Sequence, residues 1–222
     1  MGGTGDGAVN SRKAGRGIGM LLALGLAAAG AAPADDYRAG LGAYHRGDVV
    51  AAMAALRPAA SAGHAPSQAL LAFILERADL VDDALALYRS AAAQDDPEAH
   101  AGLANLYLAG RGVAKDEKQA FAHFSKAADL GHAASIQVVA DAYLGGQMGI
   151  GQTPADDARG VVALQRAAGI GHLPALEGLA RAHRSGRFGL PVDPTQAAAW
   201  EVRAAELRRQ RVARPVRPAS AP

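Results

Sequence analysis

Apolar residues recur along this chain with the spacing of one face of an α-helix. Ile136, Val139, Ala140 and Tyr143 stand at i, i+3, i+4 and i+7, so they lie on one side of a helix. A second pattern, of small and large apolar residues at i, i+4, i+7 and i+8, occurs within residues 120–128. Gly follows both patterns, and Gly ends helices because it adopts a left-handed backbone at little cost. The two patterns therefore predict pairs of helices.

These helix pairs return in phase along the chain. An Ala-Ala-x-x-Gly-His segment occurs at residues 59–64, 127–132 and 167–172, with a degenerate copy at 91–96. A second repeated segment, Ala-x-x-Tyr-x-x-Gly, occurs at 104–110 and 140–146, with His in the Tyr position at 180–186 and weaker copies at 41–47 and 72–78. Because the two segments keep the same order and a similar spacing in each copy, they indicate a tandem repeat. We predict an all-α fold, an α/α superhelical solenoid of about five helix-turn-helix repeats.

Composition and local signals agree with a helical fold. Of the 222 residues 56 are Ala, while Phe, Tyr and Trp number only 4, 5 and 1, which favours packed helices over strands. Asp116, Thr153 and Asp193 precede predicted second helices as N-caps, the last two followed by Pro. The chain has no Cys, which excludes disulfides, Cys-based zinc sites and thiol nucleophiles.

The third copy of the repeat resembles the Sel1-like repeat, a relative of the tetratricopeptide repeat. Its matching residues are Ala104, Tyr107, Gly110, Gly112, Val113, Asp116, Ala120, Phe124, Ala127, Ala128 and Gly131. The resemblance covers about residues 36–207 and is most specific in copies three to five, whereas the short loops of copies one and two are closer to the tetratricopeptide type. It implies a right-handed superhelix that serves as an interaction scaffold. Some exported members of the family resemble regulators or assembly factors of cell-envelope and exopolysaccharide systems.

The two ends of the chain differ from the repeats. Residues 1–34 contain a basic start, a 15-residue apolar run at 18–32 and small-x-small sites ending at Ala31 and Ala34, which is typical of a secretory signal peptide cut after Ala34. The run is shorter than the roughly 20 residues of a membrane span, although a short uncleaved anchor is the alternative. We predict a periplasmic or secreted protein with no integral membrane span after signal removal.

Charge places the basic residues at these ends. Residues 208–222 hold five Arg and no acid, and their three Pro and missing apolar period predict a disordered tail. Residues 35–207, the predicted repeat domain, contain five more acidic than basic residues. A net negative repeat domain repels phosphates, so we predict no nucleic-acid partner.

Candidate chemistry is sparse. His64, His132 and His172 share one repeat position, and at roughly 10 Å per repeat they are too far apart to bind one ion. His183 takes a core Tyr position, and the other His residues are predicted to be exposed without a carboxylate at ligand spacing. No GxSxG, SxxK with KTG, or HExxH motif is present. We predict no catalytic residue, no metal and no cofactor, and hence no enzyme.

A polar strip along the first helices is the predicted binding surface for a protein of unknown identity, or for an extended peptide or glycan. In this repeat type the first helices line the concave face. We call Ala104, Ala140 and Ala180 the Ala column. The strip consists of the residues that directly follow this column and of residues one helical turn before those. Its members are Asn105, Gln137, Asp141, Glu177 and Arg181.

Two other functions remain open at this point. One is a hydrolase acting on peptidoglycan or β-lactams, since a few Cys-rich relatives are linked to β-lactamase activity, although their disulfide pattern is missing here. The other is a cytoplasmic or membrane-tethered scaffold, which requires residues 18–32 to stay attached.

Overall fold

The computed structural model describes residues 32–148, 150 and 153–213. These residues form ten α-helices and a short 3-10 turn, with no strand among them, which confirms the all-α prediction. The helices are α1 (Pro33–His45), α2 (Val49–Ser61), α3 (Ala65–Arg77), α4 (Val81–Ala92), α5 (Pro97–Ala109), α6 (Glu117–Asp129), α7 (Ala133–Gly145), α8 (Pro154–Gly169), α9 (Leu173–Ser185) and α10 (Pro194–Ala213), and the turn is Arg187–Gly189.

The helices pair into five repeats, each with an odd-numbered first helix and an even-numbered second helix. Every helix packs against the next one along the chain. First helices of neighbouring repeats also contact each other, α1 with α3, α3 with α5, and α7 with α9. The contacts therefore link elements that are close in sequence, which is the arrangement of a solenoid.

A column of large side chains on the second helices fills the space between the helices. It consists of Leu56, Tyr88, Phe124 and Leu164, which are 0–5% exposed. We call these residues the wedge column. The Ala residues that flank it are almost all fully buried, because a methyl group lets the neighbouring helix approach closely. In the last repeat Glu201 takes the same position and is exposed.

The predicted N-caps of the second helices are confirmed. Asp116 and Asp193 each accept two hydrogen bonds from backbone N–H groups of the following turn, at 2.9 and 3.0 Å. Thr153 and Asp156 form a reciprocal capping box at the start of α8. These caps satisfy donors that have no partner inside the helix.

The Gly of the Ala-Ala-x-x-Gly-His segment has a left-handed backbone where the second helix ends. Its φ is 94° at Gly131 and 77° at Gly171. The N–H of the His that follows then donates to the carbonyl of the first Ala of the segment, at 2.9 Å in both copies. The turn between two repeats therefore favours Gly. In the degenerate copy at 91–96, Asp95 adopts the same left-handed backbone, with a φ of 58°.

The C-terminal boundary of the repeat domain differs from the prediction. Helix α10 continues to Ala213, so a disordered tail from residue 208 is wrong for residues 208–213, and residues 214–222 lie outside the described part. Arg208 contacts Glu177, and Arg211 donates to the carbonyl of Gly171 at 3.0 Å. These two Arg residues attach the last turns of α10 to α9 and to the turn that precedes α9. The prediction treated them as part of a separate basic tail and did not include these contacts.

The N-terminal boundary lies two residues before the predicted one. Helix α1 begins at Pro33, and the N–H groups of Asp35 and Asp36 donate to the carbonyl of Ala32. The predicted signal segment lies almost entirely outside the described residues. Among the residues that are described, no helix combines the length and the apolar character needed to cross a membrane.

Candidate interaction surface

The five predicted strip residues lie on first helices, as expected, but their environments differ. Asn105 on α5, Asp141 on α7 and Arg181 on α9 are exposed. Gln137 and Glu177, one turn earlier on α7 and α9, are half-buried. The strip is thus only partly available to a ligand.

Asp141 contacts the following repeat. Its Oδ1 lies 2.8 Å from Nε2 of His172, the residue that precedes α9, and His172 is only 9% exposed. The contact joins α7 to the start of α9. The Asp141 carboxylate therefore contributes to the junction between repeats four and five. Sequence periodicity predicted only that this side chain faces solvent.

Glu177 has a partner as well, because Arg208 of α10 forms an ion pair with it. The side chain of Arg181, in contrast, makes no ion pair within the described residues. Among the charged members of the strip, Arg181 is consequently the one whose side chain points to solvent without a salt bridge.

One exposed aromatic residue extends the strip toward the N-terminus. Phe73 on α3 occupies the position of Asn105, one residue past the Ala column, and its side chain is 38% exposed. Its ring lies edge-on to Tyr44 of α1 at 6.0 Å, and the guanidinium of Arg77 lies 5.8 Å from its centroid. The same column rule that selected Asn105 would have found Phe73. The strip therefore combines an aromatic end with a polar remainder.

The repeated His residues stand at the start of the first helices, and the His132 side chain caps its helix. His64 and His132 precede α3 and α7, and Nδ1 of each lies within 2.9 Å of the Oγ of the Ser three residues later. In the fourth repeat the Ser135 N–H also donates to Nδ1 of His132. The His132 ring thus satisfies a free helix donor. His64 makes its side-chain contact with Ser67 only, and His172 contacts Asp141.

The cap at His132 has the composition of a hydrolytic triad. Nε2 of His132 lies 3.3 Å from Oε2 of Glu98, and Nδ1 lies 2.7 Å from Oγ of Ser135. Ser135, however, is 0% exposed, and a nucleophile must reach its substrate. The arrangement thus supports a helix start and gives no support to the hydrolase alternative.

Two further His residues meet inside the third repeat, which corrects the prediction that both are exposed. His100 on α5 is 8% exposed, and its Nδ1 lies 3.1 Å from Nδ1 of His123 on α6. Tyr107 stacks on the His123 ring at 5.6 Å. Burial lowers the pKa of both imidazoles, and the charge of Lys126 lowers the pKa of His100 further. A neutral pair that shares one N–H···N hydrogen bond fits these contacts.

The ring geometry of this pair favours a hydrogen bond over a metal ion. The ring centroids are 5.3 Å apart, so the two Nδ1 atoms face each other almost head-on and leave little room for an ion between them. Asp95 is near, with Oδ1 3.9 Å from Nε2 of His100, but it pairs with Lys126 at 2.9 Å. Within the described residues no group of three or more His, Asp or Glu is arranged as a metal site.

A groove opens between the second helices α6 and α8, above α7. Its volume is about 610 Å³. Ile136, Val139 and Tyr143 of α7 form the floor, and the walls carry Phe121, Val162, Arg159, Arg166 and Asp129. The corresponding groove one repeat earlier, between α4 and α6, is about half as large at 310 Å³, and its lining includes the ring of His123. We call the larger one the α6–α8 groove.

Comparison with protein families identifies the repeat. The Sel1 repeat model matches residues 66–96, 97–132 and 173–208. The chain therefore contains three Sel1 repeats. The matched segments are repeats two, three and five, so repeat two fits the family better than its short loop suggested. Repeat four, whose loop is longer and has no Gly-Val, falls outside the match although it folds as the same helix pair.

Similar proteins support the family and the fold. The chain is 35% identical over 107 residues to the uncharacterized protein NMB1327 of Neisseria meningitidis, an alignment that covers 48% of this chain and only 22% of that protein. The solved structure of c5321, a protective antigen of uropathogenic Escherichia coli with an SLR fold, has a TM-score of 0.64 at 23% identity, covering 78% of this chain and 38% of that one. A Sel1 repeat protein from Oxalobacter formigenes has a TM-score of 0.55 at 24% identity, covering 78% and 70%.

The three matched Sel1 repeats suggest a general function. Sel1 repeats form protein-interaction scaffolds, and proteins built from them are generally non-catalytic. Neighbouring helix pairs supply one extended surface, which suits binding of another protein chain. The predicted solenoid fold is confirmed by the family match together with the structural similarities.

Proposed function

We propose that this Sel1 repeat protein is an exported scaffold that binds a protein partner along its first helices. The observation that carries this proposal is the row of equivalent, solvent-facing positions on the first helices α3, α5 and α9, occupied by Phe73, Asn105 and Arg181. An aromatic side chain, an amide and a cation with no salt bridge among the described residues are groups that contribute to protein recognition. An extended polypeptide, or a glycan, is the occupant that such a row fits.

The proposed location is the periplasm or the extracellular space. It rests on the sequence of residues 1–34, in which a basic start, a short apolar run and a small-x-small site follow each other. We place the scaffold in cell-envelope or exopolysaccharide assembly or regulation, a role that fits an exported repeat scaffold.

Processing provides a direct test of export. When the chain is produced with its first 34 residues and recovered from the periplasmic fraction, N-terminal sequencing is expected to begin at Asp35. A start at Ala32 would keep export but move the cut to the earlier small-x-small site, which leaves helix α1 complete. An intact start at Met1 or Gly2 in that fraction would contradict removal of the signal segment.

Partner capture tests the strip. A double variant, Asn105→Ala with Arg181→Ala, should weaken capture of the partner from an envelope extract at least tenfold, which corresponds to about 1.4 kcal/mol. The melting temperature should stay nearly constant, because both side chains are exposed. Asp141 is left unchanged because of its contact with His172.

A matched control variant carries the same chemical changes on a second helix. Lys118 and Gln119 of α6 are exposed and also provide one cation and one amide. Their replacement by Ala should leave capture unchanged. Equal loss in both variants would show that the effect is one of general charge, and undiminished capture in the strip variant would exclude the strip as the binding surface.

A further inference from the structure

The α6–α8 groove has a cause that can be read from the repeat register. One position of the second helices lies one residue before the wedge column and faces the space beside the preceding repeat. We call it the groove position. Its occupants are Leu87, His123, Ala163 and Trp200, all of them half-buried.

The groove is large where the groove position is small. His123 extends its ring between α4 and α6, contacts His100 and stacks on Tyr107, and the groove there is about 310 Å³. Trp200 packs its indole against the hydrophobic core of repeats three to five. Ala163 supplies only a methyl group, and the equivalent space is about 610 Å³. One missing ring thus opens a groove over an apolar floor.

The charges beside this groove favour an acidic ligand. Arg166 donates to Asp129 at 2.8 Å and so is largely neutralised. Arg159 is 73% exposed and lies 3.7 Å from the nearest oxygen of Asp156, beyond hydrogen-bond distance. The other oxygen of Asp156 is 2.6 Å from the hydroxyl of Thr153 in the helix cap. Arg159 therefore keeps guanidinium donors for an added carboxylate.

We propose that the α6–α8 groove is a docking site for an acidic peptide segment, which inserts one aromatic side chain beside Ala163 and places a carboxylate against Arg159. The aromatic ring takes the place that His123 and Trp200 occupy in the flanking repeats. This surface lies between second helices, so it is separate from the strip on the first helices and goes beyond the scaffold function proposed above.

Selection from a random peptide library tests the proposal without knowledge of the natural partner. Twelve-residue peptides displayed on phage are selected on the immobilised full chain, and the enriched peptides are synthesised for fluorescence-anisotropy titration. We expect enriched sequences to place Trp, Phe or Tyr within two residues of Asp or Glu. Enrichment of sequences without an aromatic residue, or no enrichment at all, would overturn the proposal.

Two variants assign the binding to the groove. Ala163→Trp copies the last repeat and fills the groove, so the Kd of a selected peptide should rise at least tenfold. Arg159→Glu reverses an exposed charge, so acidic peptides should bind at least fivefold more weakly, and this variant gives an answer even if Ala163→Trp does not fold. Unchanged Kd values in a folded Ala163→Trp or in Arg159→Glu would place the peptides elsewhere.

Two controls complete the design. Ala54→Trp adds the same indole at an exposed second-helix position outside the groove and should leave the Kd unchanged. The Asn105→Ala and Arg181→Ala double variant should also bind the selected peptides normally. Loss of peptide binding in that double variant would assign the peptides to the strip and reject the groove, whereas failure of the strip to capture a partner leaves the groove result intact.

Discussion

Leu164→Ala is expected to lower the free energy of unfolding by about 2–5 kcal/mol, the range measured for large-to-small changes in rigid cores. Leu164 belongs to the wedge column and is 0% exposed. Its removal leaves a cavity between α8 and its neighbours, because the helices that surround it are already held apart by other side chains of the column. Urea or guanidinium denaturation monitored by circular dichroism measures the change.

The last repeat supplies the control for this prediction. Glu201 occupies the wedge position of α10 but is exposed, and its carboxylate pairs with Arg184. Because exposed ion pairs contribute little, Glu201→Ala should cost less than about 1 kcal/mol. Similar losses for both variants would mean that the wedge column does not carry the packing between repeats.

Gly102→Ala is expected to destabilise the protein by about 2 kcal/mol, although Ala is the better helix former. A Cβ atom at Gly102 would lie 2.4 Å from two ring atoms of Tyr88, far inside contact distance. The Tyr88 ring is 2% exposed, and its hydroxyl donates to Glu76 at 3.1 Å, so it has little freedom to move. Thermal melting should show a loss of several degrees.

A second helical Gly is the matched control. A Cβ atom at Gly42 of α1 would have Nη1 of Arg46 as its nearest neighbour at 3.4 Å, and this flexible side chain can move away. Gly42→Ala should therefore stabilise the protein by about 0.5–1 kcal/mol through helix propensity. A destabilising Gly42→Ala, or a neutral Gly102→Ala, would contradict the role of close helix contact at Gly102.

Periodicity and turn chemistry predicted most of the fold. The signals that predicted it are local, since each affects the backbone only within a few residues of its own position. They are the Ala columns, the Gly residues that follow helices and the caps at Asp116 and Thr153. The end of α10 was missed because its last turns depend on Arg208 and Arg211 reaching residues more than 30 positions away. Such contacts leave no periodic trace.

The sequence predicted where the residues of the candidate site lie, but not which side chains they contact. The column rule placed Asn105, Asp141 and Arg181 on the correct helix face, yet it did not show that Asp141 binds His172. Likewise the sequence showed His100 and His123 without showing that they meet, because their contact joins two helices of one repeat across 23 residues. The α6–α8 groove could have been predicted by comparing the groove position across repeats, because Ala163 stands there between His123 and Trp200 of the flanking repeats.

The restriction of helix contacts to near neighbours has a consequence for how this chain reaches its structure. Few distant segments need to meet, so little loop-closure entropy opposes the first steps, and chains with mainly local contacts fold quickly. Any adjacent helix pair with its wedge residue can act as the starting point, from which structure spreads in both directions. A chain that emerges gradually from the ribosome therefore builds its first repeats before the last ones arrive.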